Sequence, residues 1–114
     1  MAGVAAKRVS VILFKNRYNA LKFTIDGVAN LSGWTARYTV SENRGAAALV
    51  DKSTSDDIEI SGVDVLVDIW PANTAAIDQG ANYYHELTLI DPESNPRVAA
   101  YGDHCVVRDV TDIS

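Results

Sequence analysis

The chain has one cysteine, Cys105, which excludes an intrachain disulfide. Cations are sparse too. Ten Lys and Arg stand against fifteen Asp and Glu, for a net charge of −5, and Lys7-Arg8 is the one adjacent basic pair. Phosphate backbones are bound by clustered Lys and Arg, so no nucleic-acid partner is expected. No apolar run approaches the roughly 20 residues needed to span a bilayer, so no membrane partner is expected. The start, MAGVAAKRVS, lacks a charged leader followed by an apolar stretch. No signal peptide is therefore expected, and synthesis is expected in the cytoplasm. Internal repeats, low-complexity tracts and long heptads are absent.

Chemical motifs are equally scarce. The chain contains no GxGxxG, GxxxxGK[ST] or GxSxG. His85 and His104 are its two histidines, with no CxxC or HxxxH spacing, so no metal site is expected. His104 and Cys105 are adjacent and would face opposite ways on a strand. A Cys105–His85 nucleophile pair would need the two to meet across strands, with a third group orienting the base. The blander reading makes Cys105 a small buried hydrophobe and sets His85 at the edge of an inward face, its ring nitrogen satisfied by a neighbour. Asp56-Asp57-x-Glu59 lacks the glycine and terminal bidentate Glu of a calcium loop. Asp64 and Asp68 read as charges guarding a strand edge. No catalytic residue and no cofactor is expected.

What the sequence does have is alternation. Leu21, Phe23 and Ile25 share one face of NALKFTI, and Trp34, Ala36, Tyr38 and Val40 share one face of WTARYTV. Val63, Val65, Val67 and Ile69 alternate with Asp64, Leu66, Asp68 and Trp70; Tyr83, His85, Leu87 and Leu89 alternate with Tyr84, Glu86, Thr88 and Ile90. A period of two marks half-buried strands. Turn signals separate the runs: Asp26-Gly27, SENRG, STSDD, Ser61-Gly62 and DPESNP, with Gly102 as a bulge or bend. PANTAAIDQG suits one helical turn near residues 72–78, capped by Asn73 or Thr74, with Ile77 tucked against the core. The expected fold is all-β: one domain over 1–114, an antiparallel immunoglobulin-like β-sandwich of seven to eight strands. Residues 1–6 and 112–114 are expected to be extended tails.

Four segments carry a resemblance: DGVANLSGWTARYTV, DDIEISGVDVLVDI, PANTAAIDQGANYYHELTLID and RVAAYGDHCVVRDVT. Their order resembles small β-sandwich structural proteins of tailed bacteriophages, similar to the N-terminal domain of phage baseplate upper proteins and related short tail or neck proteins. The matching features are the turn Leu31-Ser32-Gly33 before the strand Trp34–Val40, the paired strands of Ile58–Ile69, the stretch Thr74–Leu87, and the final strand Gly102–Thr111. The resemblance covers about residues 10–111. It implies a non-enzymatic virion component that acts as an adaptor, fibre-anchoring or decoration protein. Its partners would be other phage virion proteins, in a homo-oligomer or ring on the particle. Candidate subunit contacts are the outward aromatics Trp70 and Tyr84 and two tail residues, Val4 and Ile113. The alternative is a solitary immunoglobulin-like module that binds carbohydrate or another ligand through Trp70, Tyr84 or nearby loops.

Overall fold

A computed structural model describes residues 6–109. Val4 and Ile113, with the tails except Ala6, lie outside the described residues. Nine strands and one short helix follow each other as β1 (Lys7–Arg8), β2 (Val11–Lys15), β3 (Asn19–Thr24), β4 (Thr35–Ser41), β5 (Ala48–Thr54), β6 (Asp57–Ser61), β7 (Asp64–Ile69), α1 (Pro71–Thr74), β8 (Gly80–Ile90) and β9 (Pro96–Asp109). The fold is all-β.

The strands form one curled sheet in the order β1-β9-β8-β4-β5-β6-β7-β3, with β2 beside β1 along the same edge of β9. The curl makes two layers. Phe23 on β3 meets Tyr38 on β4 with ring centroids 5.6 Å apart, although the two strands are not neighbours in the sheet. The layers are β2-β9-β8-β4 and β3-β7-β6, and β5 turns the corner between them. A sandwich with its first long strand on its last, and its second on the strand before the helical turn, is an immunoglobulin-like arrangement.

The alternation carries into the structure. Ala36, Tyr38 and Val40, then Val65, Val67 and Ile69, then His85, Leu87 and Leu89 are all buried. Leu13, Phe23, Ile25, Leu31, Val50, Ile58, Ile77, Cys105 and Val107 join them in one core. The turn before β4 closes through Trp34 N–H to the Leu31 carbonyl at 3.1 Å, with Gly33 at φ +81°. Such a φ favours glycine because it brings a Cβ against the following carbonyl.

The all-β expectation holds, but not every pairing is antiparallel. β1 and β2 both run parallel to β9, and β5 meets β6 in parallel over Ser53↔Asp57 and Thr54↔Ile58. The nine strands lie close to the expected number: the first edge is interrupted at Val9-Ser10, and Gly102 bends β9 without dividing it. The helix spans 71–74 rather than 72–78, since Pro71 suits its first turn. Neither Asn73 nor Thr74 sits at its cap: Asn73 Oδ1 accepts from the Trp70 N–H at 2.7 Å. Thr74 is buried, and its Oγ1 accepts from the Asn16 N–H at 3.0 Å. Asp64 and Asp68 do not guard an edge, because β7 is paired on both sides, by β3 and β6.

Strand β9 bulges in its middle. Arg8 pairs with Tyr101, but Val11 pairs with Cys105. On the other flank His85 faces Gly102 while Tyr83 faces Cys105. Asp103 and His104 together therefore oppose the single Tyr84, one residue more than regular pairing allows. Gly102 makes the bulge possible, since a Cβ there would lie 2.6 Å from the Val9 carbonyl oxygen.

Candidate functional site

The Cys105–His85 pair belongs to the interior. His85 Nε2 lies 2.6 Å from the Val9 carbonyl oxygen, and its Nδ1 lies 3.1 Å from the Tyr38 hydroxyl. A carbonyl only accepts, so Nε2 carries the proton; Nδ1 then accepts from Tyr38 O–H. Burial lowers the His85 pKa, against the opposing pull of the Val9 carbonyl, and keeps the ring neutral. Burial raises the Tyr38 phenol well above 10 and pushes the Cys105 thiol up to about 12. A buried thiol at that pKa supplies no thiolate at neutral pH. Both nitrogens of His85 are engaged in structure. His104 is exposed, 3.7 Å from Asp103. Among the described residues no three His, Cys, Asp or Glu side chains gather as a metal-ligand set.

The placement of His85 has a local cause. Tyr83 O–H donates to the Asp78 carbonyl at 2.6 Å across the β7–β8 corner. This is the tyrosine corner of immunoglobulin-type sandwiches, where the residue two places further on is a disulfide cysteine. Here that residue is His85. Gly80 leaves room for the Tyr83 ring, because a Cβ at residue 80 would sit 3.0 Å from it. The spacing Asp78-x-Gly80-x-x-Tyr83 could have flagged this corner in the sequence; reading the segment by alternation alone passed over it.

Trp70 is exposed at a corner of the sandwich. Its ring stacks on Tyr18 at a centroid distance of 4.8 Å, and its Nε1–H donates to Asp57 Oδ1 at 3.0 Å. Asp57 also takes the buried Lys52 Nζ at 2.6 Å. Those two donors, Lys52 first, hold the Asp57 carboxyl below its ordinary range. Tyr18 O–H donates to Asp68 at 2.6 Å, which raises the phenol pKa. The Asp57 of the acidic run is thus spoken for by a lysine and an indole.

Tyr84 lies elsewhere, on the outer face of the β2-β9-β8-β4 layer. Its hydroxyl donates to Glu86 Oε1 at 2.7 Å, and Arg44 lies over its ring at 5.9 Å. Burial first, then Glu86, pushes its pKa up to about 12. Trp70 and Tyr84 share none of these partners, so the two expected aromatic contacts form two separate surfaces.

Further apolar side chains are exposed on the strand that precedes Tyr18. Six large apolar side chains are exposed among the described residues: Ile12, Phe14, Tyr18, Leu49, Trp70 and Val98. Four of them belong to β2, the turn after it, and the indole stacked on that turn. Ile12 and Phe14 share the outward face of β2, opposite the buried Leu13. The free edge of β2 is blunted, since Asn19 accepts from the Phe14 N–H at 2.9 Å and donates to its carbonyl at 3.0 Å. A side-chain amide thus stands where a further strand would pair. This edge therefore offers side chains more than backbone.

No protein-family model matches the chain, and no curated protein matches it.

Proposed function

We propose that the chain is a non-enzymatic structural component of a tailed-phage virion, an adaptor, fibre-anchoring or decoration protein working by protein–protein contact. The observation that supports this reading is the exposure of Ile12, Phe14, Tyr18 and Trp70, four of the six large apolar side chains exposed among the described residues. Large apolar and aromatic side chains gathered on one edge of a small domain mark contact surfaces. The segment order that resembles phage sandwich proteins supplies the kind of partner: other virion proteins, or further copies in a ring.

The test is sedimentation of the full chain alone and with purified particles of the phage that encodes it. A defined oligomer or co-sedimentation is expected, and Phe14→Ser with Trp70→Ala should abolish it while leaving the fold intact. A monomer that never travels with particles would overturn the reading.

A further inference from the structure

The outer face carries a cleft of about 390 Å³, centred on the β9 bulge. That volume lies within the range of small-ligand sites. Four parts of the chain converge on it: Arg8 of β1, Asn43 and Arg44 of the β4–β5 loop, Asn82 and Tyr84 of β8, and Tyr101 of β9. Bulges re-aim side chains in this way, and they recur beside binding sites.

The cleft lining holds unused hydrogen-bonding capacity. Several cations elsewhere are matched: Arg37 holds Asp51 through two bonds, Lys52 holds Asp57, Arg97 holds Asp91, and Lys7 meets Asp26. Arg44 has the Tyr84 ring beneath it but no carboxylate among the described residues. The side-chain amides of Asn43 and Asn82 and the Tyr101 hydroxyl likewise make no hydrogen bond among the described residues. Arg8 is tied to Asp103 at 3.1 Å, so these two charges offset one another. Glu86 stands nearby, with its oxygens taken by Tyr84 at 2.7 Å and Thr88 at 3.0 Å. The residues lining the cleft, Arg8, Arg44 and Asp103, sum to one positive charge, with the Glu86 carboxylate just outside the lining, in a chain whose net charge is −5.

We infer that this cleft binds an acidic sugar, with the carboxylate on Arg44 and hydroxyls on Asn43, Asn82 and Tyr101. One free guanidinium surrounded by amides and phenols suits a ligand with one charge and several hydroxyls. An extended acidic peptide suits it less. Such peptides add to a free strand edge, and β8 and β9 beneath the cleft are paired on both sides.

The test titrates the full ¹⁵N-labelled chain with glucuronate, and in parallel with glucose, sodium acetate and a blocked Asp-Glu peptide. Saturable shifts are expected at Asn43, Arg44, Asn82, Tyr101 and Gly102 with glucuronate. Glucose and acetate should bind at least roughly tenfold more weakly, and Arg44→Gln should cost glucuronate roughly tenfold, as loss of a charge-assisted bond does. Arg44 lies in an exposed loop, so an unchanged spectrum elsewhere verifies folding of that variant; Asn82→Ala gives a second, smaller loss. Absence of saturable shifts, equal response to glucose or acetate, indifference to Arg44→Gln, or tighter binding of the peptide would each overturn the inference.

Discussion

Two tyrosines in this protein each pair with a nitrogen-bearing ring, one inside and one outside. Tyr38 meets His85 at 5.8 Å between centroids, and both are fully buried. Tyr18 meets Trp70 at 4.8 Å, with 52% and 44% of their surfaces exposed. The inner pair closes a chain of hydrogen bonds onto the backbone of Val9, and no buried side-chain polar atom among the described residues lacks a partner. The outer pair rests on two carboxylates, Asp68 and Asp57, that water could equally satisfy. Similar chemistry thus has different consequences. Inside, each lost bond strands a polar group; outside, solvent replaces it.

The strongest way to break this contrast is at His85. Replacing it by Leu leaves the Val9 carbonyl and the Tyr38 hydroxyl without partners. A loss of about 3 kcal/mol is expected in denaturant unfolding. Amides of β2 should also exchange faster, since Val9 leads into that strand. Tyr38→Phe removes one donor and should cost about 1 kcal/mol. If both changes were neutral, the interior network would be no more than filler.

A gentler probe is pH. Burial sets the folded pKa of His85 below the ordinary 6.5. As pH falls, the unfolded chain takes up its proton first, which favours unfolding. The contribution of a neutral His85 is therefore fully present above about 6.5 and is lost as pH falls through the folded value. Carboxylates held low by their partners, such as Asp91 with Asn95, Arg97 and Glu93, act in a separate window below 3.8. Stability measured from pH 7 to pH 5 should decline for the native chain relative to His85→Leu. Parallel curves would mean that the ring is not held neutral.

The smallest effect belongs to the outer pair. Tyr18→Phe deletes only the hydroxyl that reaches Asp68, and no resolvable change in unfolding midpoint is expected. A clear destabilisation would make this corner structural and weaken its proposed role as a contact surface.

Much of the interior was legible from residues alone. A period of two identified the buried face of β4, β7 and β8, because each of these strands has one face on the core and one turned outward. The parallel placement of β1 and β2 was not legible. Val11 and Cys105 are far apart in sequence, and nothing local in either segment specifies direction. Lys52 was also missed. A lysine on an apolar strand reads as outward, yet its head group is buried against an aspartate five residues on. Of the expected contacts, Trp70 and Tyr84 proved separate. The partners that define each surface, Tyr18 for one and Arg44 for the other, come from turns and loops that carry no periodicity.

The parallel pairing of β2 with β9 also dictates an order of events during synthesis. Val11 leaves the ribosome long before Cys105, and its ladder cannot form until the last strand has emerged. Contacts of such sequence separation close slowly. For that interval Ile12 and Phe14 sit on a strand with no partner in its own chain. At high local concentration the β9 of a neighbouring copy offers the same pairing, the condition under which strand exchange between molecules competes with folding.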